Sequence, residues 1–129
     1  MSHHYVVRPK IDKSGAEEKI RYYGVPVTTG LITTDELAER IASHCSLSKG
    51  DVLAAVSELT HQIVQCVGMG FTVDLRELGQ FNLSATSEGF ENAADCTPSR
   101  VKPNRLCFKM SNLLRNKIKH IKFERKPTL

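Results

Sequence analysis

Apolar and polar residues change their spacing several times along this chain, and each change marks an element. Tyr5-Val6-Val7-Arg8 and residues 20–27 are dense in β-branched and aromatic side chains, with the polar residues 12–19, including Ser14-Gly15, between them. That pattern predicts a β-hairpin with a loose loop. Pro26 has no N–H to give to a ladder, so the second strand is expected at an edge or interrupted there. Thr28-Thr29-Gly30 closes this leading extension, residues 1–31.

The period then becomes helical. Thr33-x-x-Glu36 has capping-box spacing, and Leu37, Ala38, Ile41, Ala42 and Cys45 recur at intervals of three and four. A first helix should start there and end near Cys45. Ser48-x-x-Asp51 offers a second cap, after which Val52, Val56, Leu59, Ile63 and Val67 carry one apolar stripe as far as Gly68. Only Ser46 and Leu47 lie between the two patterns, so the helices must form a tight pair facing a common core. The second is a structural helix rather than a base-reading one, because its outer face shows Glu58, Gln62 and Gln65 and no Lys or Arg after Lys49.

Gly68-Met69-Gly70 stops the second helix, and strict alternation follows. Residues 71–75 and 80–84 read as two half-buried antiparallel strands closed by a glycine turn at Gly79. Residues 86–99 are polar and partly acidic, with Glu88, Glu91 and Asp95, which fits a loop or a protruding arm. In residues 101–110, Leu106, Phe108 and Met110 alternate with Arg105, Cys107 and Lys109, giving a third strand with positive charge on one side. Ser111 can cap a last helix, in which Leu114, Ile118 and Ile121 form a narrow apolar line among Arg115, Lys117, Lys119 and Lys122. Phe123-Glu124-Arg125 is a candidate final strand. The fold class that results is α+β, with residues 32–129 as one globular unit behind the leading hairpin.

Charge sharpens this picture more than composition does. The 129 residues are 40% hydrophobic and 25% charged, an ordinary globular balance. Residues 1–95 hold 8 Lys/Arg against 13 Asp/Glu, whereas residues 96–129 hold 10 against 1, so the two stretches carry −5 and +9. Such a concentration repels itself unless an anion sits against it, and phosphate backbones are the commonest such anion; a solvated basic tail is the plainer reading. No run approaches the roughly 18 apolar residues of a membrane span, and the N-terminus has no basic segment followed by an apolar run. Cys45, Cys66, Cys96 and Cys107 are irregularly spaced, with no metal-binding interval, and are expected reduced and buried, which points to the cytoplasm.

Catalytic chemistry has little to stand on. His44, His61 and His120 have no evident partner carboxylate or nucleophile, and no nucleophile elbow, phosphate-cradling glycine loop or zinc-protease motif occurs. No enzyme activity, cofactor, metal or small-molecule substrate is expected.

The order helix, tight turn, long helix, strand, glycine turn, strand, arm, basic strand and short basic helix resembles the bacterial histone-like HU and integration host factor family. Val73-Asp74-Leu75-Arg76-Glu77-Leu78-Gly79-Gln80-Phe81 is similar to that family's strand–turn–strand signature, and Leu106-Cys107-Phe108-Lys109 with the following helix to its segment after the arm. The resemblance covers about residues 32–122, and the leading hairpin is similar to a variant branch of HU-like proteins. Two departures stand out. The arm is acidic, with Arg100 and Lys102 only on its return and neither Pro98 nor Pro103 in an Arg-Asn-Pro context, so wedge insertion and sharp bending are not expected from it. Met110-Ser111-Asn112 also replaces the usual Pro-Gly-Lys before the last helix.

The resemblance implies a dimer, interlocked through the first two helices, whose sheets make a saddle on double-stranded DNA. The long apolar stripe independently favours a second subunit, which a homodimer would supply, although the leading hairpin is an alternative cover for it. Phosphate contacts would come from Arg100, Lys102, Arg105 and Lys109 on the third strand and its approach, and from Arg115 and Lys119 on the last helix, with weak sequence preference. Ser111 and Asn112, at a helix start, would hold a phosphate oxygen or simply cap the helix. The implied role is architectural and nucleoid-associated. The competing reading is a protein-interaction or scaffold module that kept the fold and lost DNA binding, since the acidic arm repels phosphate.

Overall fold

In the computed structural model, which describes residues 2–127, the leading hairpin forms as β1 (Ser2–Asp12) and β2 (Lys19–Pro26), paired antiparallel from Tyr5↔Pro26 to Asp12↔Lys19. Asp12 fastens the connection. Its carboxylate accepts from the Ser14 hydroxyl at 2.6 Å and the Ser14 N–H at 3.0 Å and pairs with Arg21 at 2.7 Å. The Ser14 hydroxyl above all, then its N–H, with a smaller part from Arg21, hold the Asp12 carboxyl below the ordinary carboxylate range.

The hairpin expected from the sequence proves to be part of a larger sheet. The last strand, β6 (Lys122–Arg125), runs parallel to β1 from Ser2↔Lys122 to Tyr5↔Arg125, giving the order β2-β1-β6. The reason lies in backbone pairing: β2 occupies one edge of β1 only, and the other edge still offers N–H and C=O groups that need partners. Pro26 closes β2 at the sheet margin, where a missing N–H costs no ladder bond. The described residues up to Thr33 and those from Lys117 onward thus cluster as one compact unit, and residues 34–116 as another.

In the second unit, α1 (Thr34–Ala42) is followed by α2 (Lys49–Gly68). α1 ends before Cys45: the Ser43 hydroxyl donates to the Arg40 carbonyl at 2.7 Å and competes with continuation of the ladder. α2 starts on a complete capping box, with Asp51 N–H to Ser48 Oγ and Ser48 N–H to Asp51 Oδ2 both at 3.1 Å. The Ser48 N–H, and secondly its hydroxyl, hold the Asp51 carboxyl below its ordinary value. Lys49 ties the two helices by reaching Glu39 at 3.1 Å and Asp35 at 3.7 Å.

The far end of α2 closes as a Schellman motif. Phe71 N–H bonds the Cys66 carbonyl at 3.0 Å and Gly70 N–H the Val67 carbonyl at 3.1 Å, with Gly70 at φ +95°. The chain then enters β3 (Val73–Leu75), β4 (Gly79–Thr86) and β5 (Lys102–Met110), an antiparallel sheet in the order β3-β4-β5. The short helix α3 (Asn112–Ile118) follows and runs across the division between the units.

The core is small. Ala38 of α1 and Val52, Ile63 and Val67 of α2 are the buried hydrophobics among the described residues. The α2 stripe is therefore covered towards its ends and open in its middle, where Val56 is 39% and Leu59 41% exposed. Burial was expected of the cysteines too, and here the sequence reading needs correction. Cys45 and Cys96 are exposed, Cys66 and Cys107 half-buried, and all four are free thiols. Cys45 lies beyond the end of α1, which removes it from the apolar face to which its spacing had assigned it. No helix among the described residues is long and apolar enough to cross a membrane.

Candidate nucleic-acid interface

Register decides which basic residues share a surface. β4 and β5 pair Gln80↔Lys109, Asn82↔Cys107 and Ser84↔Arg105, so Lys109, Cys107 and Arg105 stand on one face of the sheet. The opposite face takes Val73, Leu75, Phe81, Leu83, Leu106, Phe108 and Met110, with the Phe81 and Phe108 rings 5.1 Å apart. By simple alternation Lys102, three positions before Arg105, would fall on this apolar face. It does not. Pairing resumes at Ala85↔Pro103 and Thr86↔Lys102, leaving Asn104 as an extra residue in a β-bulge. The extra residue restores the parity, and Lys102, Arg105 and Lys109 come to one face, all three exposed.

Ser84 and Pro103 account for the bulge. Proline has no N–H for the ladder, and the Ser84 hydroxyl satisfies the displaced Arg105 N–H at 3.2 Å. Asn104 and Ser84 were missed by sequence reasoning. The signal that could have found them was a proline within a strand pattern.

The remaining predicted residues are placed differently. Arg100 ends a short 3-10 turn, Pro98–Arg100, and its guanidinium lies over the Phe90 ring, 5.1 Å from its centre. The arm is not a β-ribbon: pairing stops at Thr86↔Lys102, and the stretch between contains that turn and another, Ala93–Asp95. Pro98 opens its 3-10 turn at a first position, where the missing N–H is harmless, and it cannot support a ladder. Thr86, Glu88, Phe90, Arg100 and Lys102 line a concavity of about 430 Å³ at the base of this arm, so a carboxylate shares the surface with two cations.

Ser111 is a fastening as well as a cap. Its oxygen accepts from the Leu114 N–H at 3.0 Å, its hydroxyl donates to the Glu77 carbonyl, and its N–H donates to the Leu78 carbonyl at 3.1 Å. Both Ser111 donors are thus engaged by the turn between β3 and β4, and Asn112 is the exposed polar side chain beside it. Arg115 is exposed on α3, its N–H bonded to the Ser111 carbonyl at 3.0 Å. Lys119 is exposed and falls in the other unit.

Charge divides between the units in a way that the linear sequence conceals. Residues 34–116 hold 8 Lys/Arg against 10 Asp/Glu, a net −2, whereas the unit built on the β2-β1-β6 sheet holds 10 against 4, a net +6. Among the described residues no group of three or more His, Cys, Asp and Glu side chains could hold a metal ion.

Comparison with known proteins agrees with this architecture. A family model described as an HU domain fused to a wHTH, Ig or glycine-rich motif matches residues 1–125. A crystal structure from Bacteroides vulgatus ATCC 8482, of a protein whose name proposes bacterial DNA binding, superposes with a TM-score of 0.66 at 11% identity. The match covers 98% of this chain and 50% of that one, so this chain spans half the length of its structural neighbour. Among curated proteins, none matches. With its helix pair, its strand–turn–strand segment and its leading strands all within the matched residues, the chain belongs to the HU-HIG family of HU domains.

Proposed function

We propose that this protein is a non-enzymatic binder of double-stranded DNA with little sequence preference, working as a homodimer in an architectural, nucleoid-associated role in the bacterial cytoplasm. The observation that carries the reading is the single sheet face shared by Lys102, Arg105 and Lys109, made possible by the bulge at Asn104. Three exposed cations on one ordered surface neutralise phosphates and release counterions, the main driving force for sequence-independent binding. Arg100 and Arg115 add to this set, Asn112 lies at the start of α3, and Lys119, which belongs to the other unit, is a separate candidate phosphate contact. Ser111 serves the site by anchoring α3 to the turn before β4.

Dimerisation is supported by the open middle of the α2 stripe. Val56 and Leu59, with Leu37 and Ile41 of α1, leave apolar surface that a second copy of the helix pair would bury. Family membership and the name of the structural neighbour are consistent with DNA as the partner.

One observation favours a scaffold role instead: the unit holding the β5 face is itself acidic overall, with Glu88, Glu91 and Asp95 in the arm. Titration of a random-sequence duplex over a range of salt concentrations separates the readings. DNA binding gives a steep loss of affinity with salt, abolished by Arg105→Glu/Lys109→Glu; absence of binding at low salt overturns the proposal in favour of the scaffold. The solution mass, expected to be that of two chains, tests the homodimer.

A further inference from the structure

The β2-β1-β6 sheet sorts its side chains by chemistry. Tyr5, Val7, Pro9 and Ile11 of β1 share a face with Ile20 and Tyr22 of β2 and Phe123 of β6. The other face receives Arg8, Lys10 and Asp12 of β1, Lys19 and Arg21 of β2, and Lys122 and Glu124 of β6, with the Val6–Val25 pair and His4 at its other end. Of the ionisable Lys, Arg, Asp and Glu residues in these strands, Arg125 alone lies on the apolar face. The opposite one is cationic overall.

The arrangement within that face is ordered. Lys10 stands directly across from Arg21 and Lys19 across from Asp12, so the cations run in two rows down adjacent strands. Alternate residues of a strand recur at about 6.6 Å, and the rows lie about 4.8 Å apart. Asp12 is committed to Arg21, with which it pairs at 2.7 Å. Arg8, Lys10 and Lys19 are exposed and make no ion pair among the described residues. Tyr23, 47% exposed, sits across from Arg8 on the same face.

We propose that this face is a second DNA-contacting surface, in which Arg8, Lys10 and Lys19 bind the phosphates of a duplex. It rests on the DNA-binding reading and extends it to the unit that holds the +6 charge. A linear polyanion matches the unpaired cations Arg8, Lys10 and Lys19 on these two rows, since a duplex presents a phosphate every 3.4 Å or so along each strand, about half the spacing of alternate residues within a row. The leading sheet carries exposed cations, whereas the arm of the other unit carries Glu88, Glu91 and Asp95.

The test compares three forms of the full chain, native, Arg8→Gln/Lys10→Gln/Lys19→Gln and Arg105→Gln/Lys109→Gln, by titration of a random duplex at several salt concentrations. Circular dichroism confirms each fold. The triple variant should lower the slope of log affinity against log salt by about 2 to 3, one unit or slightly less for each phosphate no longer neutralised. An unchanged slope in the triple variant, with a lowered slope in the β5 variant, overturns this proposal alone. No binding by the native protein overturns the DNA reading and this proposal together. A triple variant that loses single-stranded RNA while keeping its duplex slope overturns the choice of duplex DNA. Arg8→Lys/Lys10→Arg/Lys19→Arg, which keeps the charges, should retain the native slope; a loss there makes the effect structural and counts against the proposal.

Discussion

Gly79 lies so close to the backbone of Lys109 that no side chain fits between the two. A β-carbon at Gly79 would overlap the Lys109 carbonyl oxygen and stand 2.9 Å from the Met110 α-carbon, and the residue holds φ at +148°. Gly79→Ala therefore meets a steric clash and a backbone conformation that L-residues avoid. It should destabilise the protein by about 2 kcal/mol or more, read from denaturant unfolding.

The bulge makes its own prediction. Deleting Asn104 would remove the bulge and leave Lys102 two positions before Arg105, so regular alternation would keep Lys102, Arg105 and Lys109 on one face. The salt slope for duplex binding should therefore stay near the native one in the deletion and fall by about 1 in Lys102→Gln. An equal slope in Lys102→Gln and the native protein would remove Lys102 from the contact set.

Ser111 caps α3 and ties it to the turn before β4, through three hydrogen bonds in all. Ser111→Ala keeps the N–H bond to Leu78 and loses the other two. A stability loss of about 1 to 2 kcal/mol is expected in thermal unfolding, the range of a lost helix cap. Ser111→Thr should recover most of it.

The capping box of α2 fixes the sign of one pH effect. Asp51 has a lower carboxyl pKa in the folded chain than its ordinary 3.8, so its contribution is fully present above that value. It is lost as the pH falls through the depressed folded value. Asp51→Asn should flatten the dependence of unfolding midpoint on pH below about 4 and leave that dependence near neutrality unchanged.

Charge placed in the open part of the α2 stripe should separate the subunits of the proposed homodimer. Val56→Glu is expected to halve the solution mass measured by light scattering, because the carboxylate would be buried without a partner in the paired state. A mass of two chains in this variant would move the dimer contact elsewhere.

Much of the second unit could be read in advance because its signals are local. Ser48 and Asp51 announce a helix start within four residues, and Gly70 and Gly79 mark backbone that only glycine adopts easily. The strands around Phe81 and Phe108 alternate cleanly because one side meets apolar neighbours. What stayed hidden was non-local or one residue wide. Nothing near Phe123 says that its strand will lie beside His3, and their 5.4 Å ring contact exists only once distant segments meet. Asn104 has no side-chain signature of a bulge, yet it changes the face on which Lys102 stands. The leading sheet also changes the meaning of the charge count: Lys117 to Lys126 belong with the cations of the first strands, a grouping that no window along the sequence would make.

The parallel pairing of Ser2–Tyr5 with Lys122–Arg125 sets an order of events during synthesis. Chains leave the ribosome N-terminus first, so the hairpin can close early, while the outer edge of its first strand lacks its β6 partner until residues 122–125 have emerged. Through that interval the edge is a template for strands of other molecules, and Lys10, Lys19 and Arg21 at the far end of the hairpin supply mutual repulsion between nascent copies. The cations proposed to hold a polyanion would in this way also guard the protein against its own kind until β6 arrives.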